Sequence, residues 1–154
     1  MRRRRGRSHR TGLQRGHLPV FPRRCHCGLP LAFRGIERFT QISGDRNPLH
    51  YDPAAAKASR FGEIIVQGGI TSAILNAVVA GSLPGPGTVF LNVNWDFKAP
   101  VRPGDTITGR VQILEARTDK PITKLRTTVT RGDGTIALDG TAVCYTMAIT
   151  TGHP

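Results

Sequence analysis

The chain has 154 residues, 38% hydrophobic and 6% aromatic, enough for one domain whose core rests on Ile, Val, Leu and Ala. Its formal charge is +12, yet ten Arg and no Asp, Glu or Lys fall in residues 1–34, while the remaining 120 residues hold 12 Lys plus Arg against 10 Asp plus Glu. The body is therefore nearly neutral, which argues against a nucleic-acid or membrane-surface binder built on the domain itself, and no apolar run approaches transmembrane length.

Residues 1–34 show neither strand nor helix period and are rich in Arg, Gly and Pro, so they are expected to form a basic, disordered or loosely attached extension. Its opening arginine run holds no stacking aromatic, which weighs against a nucleic-acid tail. It is Arg-rich and acid-poor like a transit peptide, although Ser8 is its one serine. The abrupt change of composition near Gly35 also suits a misplaced start. No apolar h-region follows the arginines, so a secretory signal is not expected.

Cys25-His26-Cys27 lacks metal-site spacing, and no second ligand pair follows it, so no metal is expected. Cys144 sits in an apolar strand pattern and reads as a small buried hydrophobe. Reduced thiols fit a cytoplasmic protein.

The domain proper is expected over 35–150, with 151–154 as a tail. Ile36 to Ile42 predicts a short helix stopped by Gly44. Asn47 precedes Pro48 and is pushed toward an extended conformation. Asp52-Pro53 predicts an N-cap with proline in the first helical position, opening a helix to about Arg60 that Phe61-Gly62 breaks. Gly68-Gly69 opens the longest helical candidate, about 70–80, with Ile70, Ala73, Ile74, Ala77 and Val78 on one stripe widened by Leu75 and Val79.

The rest is strand. Val89, Leu91, Val93, Trp95 and Phe97 give the cleanest alternation in the chain. Pro100, Pro103 and Gly104 turn the chain into a strand from Asp105 to Ala116. A Thr-rich strand from Ile122 to Thr130 follows, then the Asp133-Gly134 hairpin signal and a last strand from Thr135 to Ile149. One long buried helix followed by four meandering antiparallel strands predicts an α+β domain with a sheet wrapped around a helix.

The stretch Ser43-Gly44-Asp45-Arg46-Asn47-Pro48-Leu49-His50 carries the chemistry. It sets a carboxylate and an imidazole five residues apart in a loop that Gly44 and Pro48 keep irregular. Such a pair can hold one water and move its protons. The helix start at Gly68 adds unpaired N–H donors and a positive dipole end, suited to an oxyanion. Taken singly, a loop Asp is usually a turn former and a lone His structural; the combination with Asn47-Pro48 and the Gly68 helix start favours an active site.

These same residues, Phe39 to His50, then Asp52, Ala58, Phe61-Gly62 and Ile65-Val66-Gln67-Gly68, resemble the MaoC-like (R)-specific enoyl-CoA hydratase/dehydratase family of the hotdog fold. Phe97 to Thr106 resembles the same family's strand and turn, and the resemblance spans about residues 36 to 149. It implies Asp45 and His50 as the catalytic pair, Asn47 as an orienting residue, and the Gly68 N–H as donor to the thioester oxygen. It also implies a homodimer, an acyl-CoA or acyl-carrier thioester substrate and no cofactor.

The implied activity is reversible hydration of trans-2-enoyl-CoA to (R)-3-hydroxyacyl-CoA. This chain has Gln67 where the family usually has His; Gln can hydrogen-bond but cannot titrate. Residues 1–34 do not resemble the family's N-terminal strand, so that sheet edge is expected to be missing or replaced. The rival readings are a hotdog thioesterase and, from a different class, a non-catalytic acyl-thioester-binding subunit, which Gln67 keeps open. A nucleic-acid binder acting through the Arg tail is the weakest rival. The expected compartment is cytoplasmic, or the mitochondrial matrix should the start be a transit peptide.

Overall fold

The computed structural model describes residues 24–30 and 33–149. In chain order these form β1 (Arg24–Pro30), α1 (Phe33–Ser43), a 3-10 turn (Pro48–His50), α2 (Pro53–Ala58), α3 (Gly68–Gly81), β2 (Thr88–Phe97), β3 (Thr106–Ala116), β4 (Ile122–Arg131) and β5 (Ile136–Thr146). The strands make one antiparallel sheet in the order β1-β3-β4-β5-β2, and α3 packs across it, touching all five strands. This is the expected α+β hotdog architecture. No helix among the described residues is long and apolar enough to cross a membrane.

Burial sets the rotation of α3. Ile70, Ile74, Leu75, Val78 and Val79 are buried against Ile107, Val111, Leu125, Val129 and Leu138, while Ala73 and Ala77 are exposed. The stripe thus lies further round the helix than the alanines suggested. Fully burying a Leu, Ile or Val contributes roughly 1.5–3 kcal/mol, far more than Ala offers, so the phase that covers Leu75 and Val79 wins. The helix also sits close to β3, since a Cβ on Gly109 would come within 2.9 Å of Ile74 Cγ2.

Residues 24–30 correct the expected boundary of the extension. They are strand, paired with β3 from Arg24 opposite Gln112 to Pro30 opposite Thr106, so the sheet edge expected to be missing is present. A strand held along one side by backbone bonds needs no alternating side chains to form its ladder, which is why its sequence gave no period. The expectation for residues 1–23 and for the tail at 151–154 lies outside the described residues.

The meander is also corrected. Strands β3, β4 and β5 follow one another, but β2 pairs with β5, from Thr88 opposite Thr146 to Phe97 opposite Leu138. The connection over 98–105 is too long for a tight hairpin and carries Pro100 and Pro103, which frees β3 to start on the far side of the sheet. The alternation along β2 does not map onto burial either. A bulge interrupts its register between Phe90 and Asn92, and Val89, Leu91, Val93 and Phe97 are all at least 42% exposed. Phe90 and Trp95 turn inward instead and meet edge to face at 5.9 Å, with the indole N–H donating to Thr127 Oγ1 at 3.0 Å.

Arg131 pins the connection between β2 and β3. Its Nη1 donates to Pro100 O at 3.2 Å, its Nη2 to Asp133 Oδ2 at 2.6 Å, and its Nε lies 3.5 Å from Asp105 Oδ2. The neighbouring Val101 carbonyl then accepts from Val66 N at 2.8 Å, holding the approach to α3.

Candidate active site

The loop between α1 and α2 is built from short-range bonds that its residue types dictate. Gly44 takes φ +76°, a left-handed conformation natural to glycine, and its N–H returns to Thr40 O at 2.8 Å, ending α1. Asp45 Oδ1 accepts from Asn47 N at 3.0 Å, and Asn47 Oδ1 accepts from Leu49 N at 3.1 Å, so two Asx turns follow in series. Pro48 then opens the 3-10 turn that delivers His50. Asp52 caps α2, its Oδ1 accepting from Ala54 N at 2.8 Å and Ala55 N at 3.1 Å.

His50 is 6% exposed and braced from behind. Its Nδ1 lies 2.7 Å from Ile65 O, and a carbonyl only accepts, so Nδ1 carries the hydrogen. With the ring neutral, Nε2 presents a bare lone pair. That atom stands 3.6 Å from Asp45 Oδ2. Two acceptors at this separation make no direct bond, but one water can reach both, giving one hydrogen to each.

His50 and Gly68 line the same cavity, of about 300 Å³. Thr71, Phe97, Arg60 and Lys98 contribute to its walls. Gly68 begins α3, and among the described residues its N–H has no hydrogen-bond partner, as expected of a first helical turn. A Cβ at Gly68 would come 3.2 Å from the Phe97 ring, so a side chain there would crowd the mouth. Arg60 and Lys98 make the rim cationic; Lys98 also pairs with Asp96 at 2.8 Å, and Arg60 lies 5.3 Å from the centre of the Phe61 ring. A second cavity, of about 270 Å³, lies between Arg110, Arg126 and Asp139 and shares no lining residue with the first. Among the described residues no three of His, Cys, Asp and Glu gather where they could hold a metal ion.

The predicted site residues are thus placed as follows. Asp45, Asn47 and His50 share one loop and are joined through backbone bonds. Gly68 and His50 line one cavity, and Asp45 and Asn47 are not among its lining residues. Gln67 does not line the cavity; it is 1% exposed and directs Nε2 toward α1, to Ile36 O at 3.3 Å and Thr40 Oγ1 at 3.0 Å. Reading the sequence missed Thr40, Tyr51 and the Ile65 carbonyl. Thr40 could have been found, since a threonine in step with Ile36 on a short amphipathic helix is a polar group on the core face. The Ile65 carbonyl left no residue-type signal at all.

Comparison with known proteins points to one family. Residues 23–134 match the model of the MaoC like domain. The chain is 37% identical over 108 residues to an (R)-specific enoyl-CoA hydratase of Aeromonas caviae, covering 70% of this chain and 81% of that protein. It is 36% identical over 113 residues to an (R)-specific enoyl-CoA hydratase of Rhodospirillum rubrum, covering 73% and 78%. Among solved structures, the (R)-hydratase from A. caviae involved in PHA biosynthesis superposes with a TM-score of 0.77 at 32% identity, over 84% of this chain and 98% of that one.

Proposed function

The chain belongs to the MaoC-like domain family, and from that premise we propose that it adds water to a trans-2-enoyl-CoA to give the (R)-3-hydroxyacyl-CoA, and catalyses the reverse dehydration at the same site. The observation that carries this reading is the pair Asp45 Oδ2 and His50 Nε2, 3.6 Å apart, with His50 and the first residue of α3, Gly68, lining one cavity.

The chemistry follows from what each group can do. Water held between the two acceptors attacks C3, and Asp45 draws off its proton. Electron density moves through C2 onto the thioester oxygen, where the Gly68 N–H and the positive end of α3 stabilise it. The proton then passes by way of His50 Nε2 to C2. One O–C3 bond and one C2–H bond form, one O–H bond of water and the C2–C3 π bond break, and there is no net oxidation or reduction. Arg60 and Lys98 suit the phosphates of a CoA thioester at the rim.

The same reading includes a homodimer. β2 ends the sheet with an unpaired edge, and exposes Val89, Leu91, Val93 and Phe97. An apolar edge strand of this kind invites a second strand. Phe97 also lines the cavity, so a second copy on β2 would close over the mouth. Light scattering of the purified protein tests this, with a monomer at micromolar concentration as the contrary result.

The reaction is tested by following loss of the enoyl-thioester absorbance with crotonyl-CoA and a longer enoyl-CoA, with chiral analysis of the product. The (R) alcohol without added cofactor is expected. Release of free CoA would point to a thioesterase instead, and tight binding without turnover to a non-catalytic subunit.

A further inference from the structure

One hydroxyl ties the two halves of the site together. Thr40, near the end of α1, is 5% exposed. Its Oγ1 donates to the Asp45 carbonyl at 2.7 Å, and this uses its single hydrogen. Its lone pairs are left for donors. Gln67 Nε2 supplies one at 3.0 Å, and the Tyr51 hydroxyl supplies the other. Around one oxygen, therefore, meet α1, the backbone of Asp45, the residue that follows His50 and the residue that precedes Gly68.

Gln67 is an odd choice for its position unless that link matters. It is the N-cap residue of α3, a place that favours Ser, Thr, Asp or Asn, whose side chains bond the helix's first N–H groups. Gln67 makes no such bond. The Ile70 N–H bonds the Gln67 carbonyl at 3.0 Å, and no side-chain oxygen caps the N–H groups before it. Its buried Oε1, meanwhile, has no hydrogen-bond partner among the described residues. An orphaned buried acceptor costs free energy that an apolar side chain of similar length, such as Met, would avoid. Stability alone does not account for the amide here; its two Nε2 bonds do.

We propose that Thr40 and Gln67 are positioning residues, which set the distance between the proton-handling pair, Asp45 and His50, and the oxyanion donor, Gly68. The proposal rests on the hydratase reading for its catalytic consequence, but the mechanical link stands on the hydrogen bonds alone. Neither residue lines the cavity, and both are buried with their polar bonds made to protein groups. It also assigns a role to Gln67 that needs no titration, so the absence of His at this position removes no acid or base from the reaction.

The test uses Thr40→Val, which keeps the shape and removes the hydroxyl, Thr40→Ser, which restores it, and Gln67→Met. Two readouts are taken: kcat and KM on crotonyl-CoA, and hydrogen–deuterium exchange over residues 44–50. Thr40→Val and Gln67→Met are expected to speed exchange in that loop and to lower kcat by roughly 10- to 10²-fold, the scale of a small misplacement of reacting groups. KM should move far less, and Thr40→Ser should recover most of both losses. The double variant should lose about as much as the worse single one, because the two share a bond. Loop exchange unchanged in both Thr40→Val and Gln67→Met would overturn the proposal whatever the turnover, as would a Thr40→Ser variant as impaired as Thr40→Val. Should Thr40→Val not fold, the Gln67→Met and Thr40→Ser pair decides by the same readouts. Wild-type protein that never hydrates an enoyl-CoA, with loop exchange responding as described, would sink the hydratase reading and leave the link standing.

Discussion

Asp45 Oδ2 and His50 Nε2 face each other at 3.6 Å, and each is braced from behind by the backbone, Oδ1 by the Asn47 N–H and Nδ1–H by the Ile65 carbonyl. Turning either side chain away breaks one of these bonds. The pair is therefore held in place, with Oδ2 and Nε2 aimed at one small volume. Preorganisation of this kind lowers a barrier because little has to be reordered during the reaction.

Asp52 stands two residues from His50 but does a separate job. Its carboxylate caps α2 through the N–H groups of Ala54 and Ala55. Asp52→Ala is expected to cost about 1 kcal/mol of stability, the usual scale of a lost N-cap. Turnover of the folded protein should change little. Thermal midpoint and kcat measured on one preparation check this.

The local signals around this loop were legible because they act within a few residues. Gly44, Asn47-Pro48 and Asp52-Pro53 each dictate a backbone conformation next to themselves, and each did. What could not be read is what distant partners decide. Strand β1 exists because β3, some eighty residues on, offers an edge, and Arg24–Pro30 shows no pattern of its own. The pairing of β2 with β5 rather than β3 is likewise a choice of the whole sheet. The phase of α3 depended on Leu75 and Val79 outweighing Ala73 and Ala77 once a sheet lay beneath them. The loop's candidate residues, Asp45 and His50, were readable by type, whereas the Thr40 and Gln67 bonds needed the packing of α1 on α3.

Asp139 should shape acid stability. Burial pushes its carboxyl up, but Arg126, the Thr128 hydroxyl and the Gly140 N–H outweigh it and hold the group below its ordinary value of 3.8. A depressed folded value means the stabilisation is present above the ordinary carboxylate range and is lost as pH falls through the lowered value. Asp139→Asn should therefore melt below wild type near neutral pH, and the gap should close on acidification. Arg126 is exposed, so the effect is modest and weakens with salt. Thermal midpoints of both proteins across an acid series measure it; a gap that widens toward low pH would contradict it.

Cys144 should shape alkaline stability with the opposite sign. It is fully buried, and burial pushes its thiol up from 9.0 to about 11. The folded protein holds a proton that the unfolded chain releases, so the contribution is complete below pH 9 and is lost as pH rises toward 11. The melting temperature of wild type should fall more steeply over that window than that of Cys144→Ala, whose overall stability is lower from the cavity it leaves. Parallel slopes would contradict this.

The measurement that bears most directly on the Asp45–His50 pair is the turnover of Asp45→Asn and His50→Ala on crotonyl-CoA, set beside their binding of a non-reactive acyl-CoA. Asp45→Asn keeps the shape and removes the base; His50→Ala removes the relay. Each is expected to lower kcat by roughly 10²-fold or more, the scale of lost acid–base catalysis, while binding of the acyl-CoA changes far less. Because one water is shared, the double variant should lose less than the product of the two single losses. Circular dichroism should show both single variants folded. Folded variants that keep full turnover would contradict the assignment of this loop as the active site.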